Sequence, residues 1–166
     1  MKVVFKHQPL PFHPHAMPAA LAAEAAHRQG KFWEMHDKLF ADQKALSPEA
    51  YERFANEIGL NVSRWKADMA SESVKKAVEA DSAAGTKIGA RGTPAFFING
   101  KSLSGAQPFE SFKAVIDAEI QAADALLKKG VAPAKLYDEI QKGASPGMQM
   151  PAPRTDATGA PIKQGG

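Results

Sequence analysis

The stretch from Gly92 to Gly100 constrains the fold more than any other part of the chain. Ala95-Phe96-Phe97-Ile98 is an apolar run typical of a buried strand, and Asn99-Gly100 is the strongest short signal for a β-hairpin. Pro94 suits the first position of a strand, because proline offers no N–H group to the ladder. The segment therefore predicts a tight hairpin with strands over 95–99 and 101–104.

Helical periodicity dominates the sequence on both sides of this hairpin. An Ala-rich stretch over 16–29 is followed by Gly30, a residue that commonly ends helices. Ser47, Asn61 and Ser71 are suited to begin further helices as N-caps. A helix over 108–128 is expected before Gly130, and a short one around 133–142. The residues expected on the core side of the 108–128 helix are Phe109, Phe112, Val115, Ile116 and Ile120.

The two ends of the chain carry different patterns. Val3-Val4-Phe5 is a continuous apolar run before a Pro-rich loop, so we predict a strand over residues 2–7 that is covered on both faces. From residue 144 to 166 the sequence is rich in Pro, Gly, Met and Gln without periodicity, which predicts a disordered tail or linker. One strand and one hairpin give a sheet with few strands for a chain with so many predicted helices.

Composition excludes several classes of function. The chain has 166 residues and no cysteine, which excludes disulfides, thiolate metal sites and a cysteine nucleophile. The net charge of +3 is spread along the sequence, so we expect no nucleic-acid partner. No apolar run approaches the roughly 20 residues that span a bilayer, and no signal peptide is recognisable. No cofactor motif is present, and we expect none to be bound.

Three histidines, His7, His13 and His15, cluster around the Pro-rich loop. They could form a metal site, but no acidic residue lies close to them in sequence. We therefore expect solvated loop histidines and no metal.

Several separated motifs in the right order resemble the DsbA-like branch of the thioredoxin superfamily. Gly92-Thr93-Pro94 is similar to the cis-proline loop of that branch, and residues 9–13 to the entry into its helical insertion. From the residues alone we expect the Thr93–Pro94 bond to be trans, since only about 5–6% of X-Pro bonds in folded proteins are cis. The resemblance implies an α/β, thioredoxin-like domain over 1–143, with strands over 2–7, 95–99 and 101–104 and a helical insertion over about 16–88.

The resemblance stops short of the family's reactive centre. Members begin with a strand followed by a Cys-x-x-Cys pair at a helix N-terminus, which lowers the thiol pKa. This sequence begins at what would be the second strand, and the absent strand is central in the family. We expect a domain truncated at its N-terminus, a hypothesis that codons upstream of Met1 would test. The family is mostly extracytoplasmic in bacteria, whereas the sequence itself leaves the localisation unknown.

Three functions follow as expectations. At the family level the resemblance implies a thiol:disulfide oxidoreductase, with this chain inactive alone because it lacks cysteine. The first alternative is a non-catalytic module that binds extended or unfolded polypeptide at Gly92, Thr93 and Pro94. The second is a glutathione-using, serine-type relative whose front end is missing. The exposed strand edges could also pair with a second copy of the chain or with the missing N-terminal segment.

Overall fold

The computed structural model of the protein describes residues 2–144, and the tail predicted over 144–166 lies outside this range except for Ala144. The described chain divides into two compact units. We call residues 5–83 the helical unit, and residues 2–4 together with 84–144 the hairpin unit. Each unit is described separately below.

Helices make up most of the helical unit, and their starts follow the capping residues in the sequence. The Ser47 hydroxyl accepts from the Ala50 N–H group at 3.2 Å, and the Asn61 side chain accepts from the Arg64 N–H group at 2.9 Å. Four helices lie wholly in this unit, and a fifth crosses its boundary. They are α1 (Ala16–His27), α2 (Phe32–Ala41), α3 (Pro48–Glu57), α4 (Val62–Met69) and α5 (Glu72–Lys87).

The core of the helical unit forms around the alanine-rich face of α1. Small side chains on this helix allow α2, α3 and α4 to approach closely, and the larger residues of those helices fill the space between them. The Trp65 indole lies inside this core and donates its Nε1–H to the Ala22 carbonyl at 3.0 Å. The principal large core residues are Met35, Leu39, Tyr51, Phe54, Leu60 and Trp65.

The strand predicted over residues 2–7 is absent, and this prediction was wrong. These residues have no regular secondary structure, and no strand of the described chain pairs with them. Instead, α5 fixes the segment through Asp81, which accepts from the Lys6 Nζ at 2.9 Å and from the His7 backbone N–H at 3.3 Å. An apolar run becomes a strand only when a neighbouring strand satisfies its backbone groups.

The hairpin unit contains the only sheet of the described residues, with two antiparallel strands, β1 (Ala95–Ile98) and β2 (Lys101–Ser104). Ala95 is paired with Ser104, and Ile98 with Lys101. Asn99 and Gly100 form the predicted turn with φ of +50° and +85°. The expected three-stranded arrangement is therefore reduced to two strands in a mostly helical protein.

Two further helices complete the hairpin unit: α6 (Phe109–Lys128) and α7 (Leu136–Lys142), joined through a 3₁₀ turn, Pro133–Lys135. The prediction that Phe109 and Ile120 face a core was wrong, because they are 74% and 52% exposed. The sequence pattern identified an apolar face of α6 correctly, but the described hairpin unit covers only the part of that face nearest to β1.

Candidate functional site

The loop at Gly92, Thr93 and Pro94 lies immediately before β1, and all three residues are exposed. The Thr93–Pro94 peptide bond is cis, as the resemblance to the DsbA-like branch implies and in contrast to the trans bond expected from the residues alone. The Pro94 carbonyl accepts from the Gly105 N–H group at 2.9 Å, which fixes the loop to the residue after β2. Within the described residues the Thr93 backbone makes no hydrogen bond.

The outer edge of β1 continues the line of this loop. Hydrogen-bonded and non-hydrogen-bonded residue pairs alternate along an antiparallel ladder. Because Pro94 bonds with Gly105, the next bonded residues of β1 are Phe96 and Ile98, so Ala95 and Phe97 direct their backbone groups away from β2. No other strand of residues 2–144 pairs with this side. We call the outward backbone groups of Thr93, Ala95 and Phe97 the β1 edge.

The four side chains of β1 are apolar. None of the four residues of β1 is fully buried, and Phe96 is the most exposed of them. The Phe96 ring packs edge-on against Phe112 of α6, with ring centroids 4.7 Å apart, which anchors one face of the strand. Strand edges of this kind usually carry charged residues or prolines that prevent further pairing. Here only Pro94 marks the beginning of the strand.

A buried carboxylate holds the far end of the hairpin. Glu119 of α6 accepts from the Asn99 Nδ2 at 3.1 Å and pairs with the Lys101 Nζ at 2.6 Å. These partners lie on either side of Gly100, so a single carboxylate fixes the turn that positions β1. Glu119 was not among the residues predicted from the sequence. Its spacing of seven from Phe112 was the available signal, because it places both residues on one helix face.

His7, His13 and His15 are the residues considered as metal ligands in the sequence. Among residues 2–144 no group of three or more His, Cys, Asp or Glu side chains is placed to hold a metal ion. His13 and His15 are exposed, as expected for solvated loop residues. That expectation was wrong for His7, which is only 5% exposed and has its Nε2 3.6 Å from Glu24 Oε2. Its ring also packs against Phe5, with centroids 5.3 Å apart.

The loop, the hairpin and the helix that follows are features of a thioredoxin-type domain. The family model of the DSBA-like thioredoxin domain matches residues 5–117, and the chain belongs to this family. Among solved structures, a thioredoxin-like oxidoreductase from Silicibacter pomeroyi DSS-3 superposes with a TM-score of 0.60 and 25% identity. The match covers 71% of this chain and 68% of that structure.

Relatives with curated names carry the similarity inside much longer proteins. A Na(+)/H(+) antiporter NhaA from Herminiimonas arsenicoxydans is 42% identical over 118 residues, which are 71% of this chain and 19% of that protein. A Na(+)/H(+) antiporter NhaA 3 from Salinispora tropica is 36% identical over 124 residues, 74% of this chain and 19% of that protein. The chain thus spans about a fifth of these relatives, and the similarity lies in their DsbA-like domains. No helix within residues 2–144 has the length and apolarity needed to cross a membrane.

Proposed function

We propose that this domain binds an extended stretch of polypeptide along the β1 edge and carries out no thiol chemistry by itself. The observation that carries the proposal is the line of outward backbone groups from Thr93 through Ala95 to Phe97, which has no ladder partner in the described chain. A strand added there would gain main-chain hydrogen bonds without requiring a particular sequence. Binding of this kind suits a partner that is unfolded or extended.

The redox half of the proposal rests on composition. Thiol–disulfide exchange begins when a thiolate attacks a disulfide sulfur, and this chain contains no cysteine. In a DsbA-like domain the family reaction would require a thiol supplied by a different polypeptide segment. We propose that the chain contributes the polypeptide-binding surface to such a reaction and that, alone, it leaves the rate of disulfide reduction by dithiothreitol unchanged.

The antiporter names of the relatives describe proteins of which the matched region is only a fifth. We propose that this chain shares with them a polypeptide-binding domain, and we assign it no ion transport. The ligand of the β1 edge in this proposal is a separate polypeptide. A second copy of the chain and an N-terminal segment of the same domain are the competing ligands, and the experiment below tests the first of them.

The test replaces a backbone N–H of the β1 edge without breaking the hairpin. Phe97→Pro removes an N–H group that points away from β2, whereas Phe97→Ala removes the same ring and keeps the N–H. The probe is a fluorescent, cysteine-free peptide of about twelve residues rich in Val and Thr. We expect Phe97→Ala to bind within about threefold of the parent chain and Phe97→Pro to bind at least about tenfold more weakly.

Circular dichroism must first show that both variants keep the helical content of the parent. Equal affinities of the two variants, or absence of binding by the folded parent, would contradict the proposal. Peptide that binds only after a parent dimer dissociates, seen by analytical ultracentrifugation, would show that a second copy occupies the edge. A peptide methylated at alternate backbone nitrogens should fail to bind, because it cannot donate to the carbonyl groups of Thr93, Ala95 and Phe97.

A further inference from the structure

The outer side of α6 carries a row of apolar side chains that the described hairpin unit leaves uncovered. Phe109 is 74% exposed, Ile120 52% and Leu127 38%, and Ile116 lies half-buried between them. We call these four residues the α6 stripe. Scattered single hydrophobic residues on a surface need no explanation, but several of them along one face of a helix are typical of an interaction surface.

The spacing of the stripe is that of a helix-packing seam. Phe109 and Ile116 are seven residues apart, as are Ile120 and Leu127, and Ile116 and Ile120 are separated by four. These intervals of seven and four residues match the a and d positions of a coiled coil, in which successive positions are three or four residues apart. Lys113 occupies one position of the same seam. The pattern therefore fits a second helix lying along α6 better than it fits a strand or an irregular loop.

The two flanks of the stripe differ. On one side, Phe112 packs against Phe96 and Glu119 is buried at the hairpin, so that flank is already occupied. On the other side, Glu110, Asp117 and Asp124 recur every seven residues and are all exposed. A partner helix can therefore approach the stripe only beside a row of carboxylates.

The positive charges near this row of carboxylates do not neutralise all of them. Lys113 pairs with Asp117 within the helix, and Lys128 lies at its C-terminal end. Glu110 and Asp124 have no ion-pair partner in the part of the chain that the structure describes. Charges beside a helix seam set the choice and orientation of the partner.

These charges decide between the possible partners. A second α6 packed antiparallel would bring one carboxylate row against another, and a parallel pair would need the flank that the hairpin covers. An anionic membrane surface would be repelled by the same row. We propose that the α6 stripe binds an amphipathic helix of another polypeptide segment, with apolar residues at seam spacing and Lys or Arg along the flank that faces Glu110, Asp117 and Asp124. Binding to the α6 stripe does not require the β1 edge.

The test uses the full chain and two helical peptides that differ only in charge. Both carry Leu at seam positions over about three heptads, and the flanking positions are Lys in one peptide and Glu in the other. We expect the Lys peptide to bind at least about tenfold more tightly in isothermal titration calorimetry. Because the whole chain has a net charge of +3, a general electrostatic effect would favour the Glu peptide instead.

Four variants complete the test. Ile120→Lys and Leu127→Lys should each abolish binding, and the double charge reversal Glu110→Lys with Asp124→Lys should make the Glu peptide the tighter ligand. Ala118→Lys adds the same charge on the opposite side of α6 and should change neither affinity by more than about twofold. All positions are exposed or half-buried, and circular dichroism checks that each variant is folded.

Equal binding of the two peptides, or absence of binding to the folded parent, would overturn the proposal. Self-association of the parent that Ile120→Lys abolishes would overturn it as well, since a second copy would then cover the stripe. Binding to vesicles of anionic lipid that Leu127→Lys abolishes would assign the stripe to a membrane surface, against the inference.

Discussion

Replacement of Glu119 tests how the β1 edge is held in place. This carboxylate is buried, and it binds the side chains on both sides of the Asn99-Gly100 turn. Glu119→Ala removes both interactions. Glu119→Gln keeps the shape of the side chain and the hydrogen bond from Asn99 but removes the ion pair, and Lys101→Ala also removes only the ion pair. The three variants therefore separate the contribution of the ion pair from that of the Asn99 hydrogen bond.

The structure sets the order of the expected losses. The Lys101 side chain is 61% exposed, so solvent screens its ion pair and Lys101→Ala should cost at most about 1 kcal/mol. The Asn99 amide donates to a buried, charged acceptor, and a hydrogen bond of that kind contributes about 1.5–3 kcal/mol. We expect Glu119→Ala to cost about 2–3 kcal/mol and Glu119→Gln about 1 kcal/mol.

Hydrogen exchange at the Phe96 and Ile98 amides measures opening of the hairpin directly. A cost of 2–3 kcal/mol corresponds to a loss of roughly 30- to 150-fold in protection, since about 1.4 kcal/mol is a factor of ten. Glu110→Ala, an exposed acid of the same helix, is the control and should change protection by no more than about twofold. Protection that falls as much in Lys101→Ala as in Glu119→Ala would refute the assigned role of the buried carboxylate.

Three further predictions concern the core of the helical unit. The Tyr51 hydroxyl is buried without a hydrogen-bond partner in the described chain, so Tyr51→Phe should leave stability unchanged or raise it by up to about 2 kcal/mol in urea unfolding followed by Trp fluorescence. Burial raises the pKa of Tyr51, because the folded state disfavours the ionised phenolate. The free energy of unfolding should therefore be unaffected by this group below about pH 10 and fall as the pH rises further, and Tyr51→Phe should make this alkaline loss of stability shallower. Trp65→Phe removes the bond to the Ala22 carbonyl and part of a core side chain, and should cost about 2–3 kcal/mol by urea unfolding followed by circular dichroism; a cost below about 0.5 kcal/mol would contradict the role of that bond.

Local signals in the sequence were sufficient to predict the helices and the hairpin. Ser47, Asn61 and Ser71 each accept a hydrogen bond from a backbone N–H three residues later, as N-caps do. The Asn99-Gly100 turn also formed where it was predicted, because both residues tolerate a positive φ at low cost. These features depend on neighbours within a few residues, so a single sequence contains the information needed to place them.

Features that depend on residues distant in the sequence could not be predicted in the same way. Val3-Val4-Phe5 has the composition of a strand, but residues 2–7 have no strand partner within residues 2–144. Asp81, more than seventy positions away, binds Lys6 and His7 instead. The burial of His7 and the role of Glu119 have the same origin. Sequence spacing shows which side chains share a helix face, whereas it does not show which distant backbone or side chain meets that face.

The difference in buried apolar side chains between the two units explains why both proposed binding surfaces lie on the hairpin unit. The large apolar side chains that are buried belong to the helical unit, and within residues 84–144 Ala90 is the one buried hydrophobic residue. A two-stranded hairpin is at best marginally stable without further strands or a well-covered helix. Among the described residues, no strand pairs with the β1 edge and no helix covers the α6 stripe. A partner that supplied both a strand and a basic amphipathic helix would therefore stabilise this unit more than two separate ligands. Adding the Val/Thr-rich peptide and the Lys peptide together should raise the protection of the Phe96 amide above the level reached with either peptide alone.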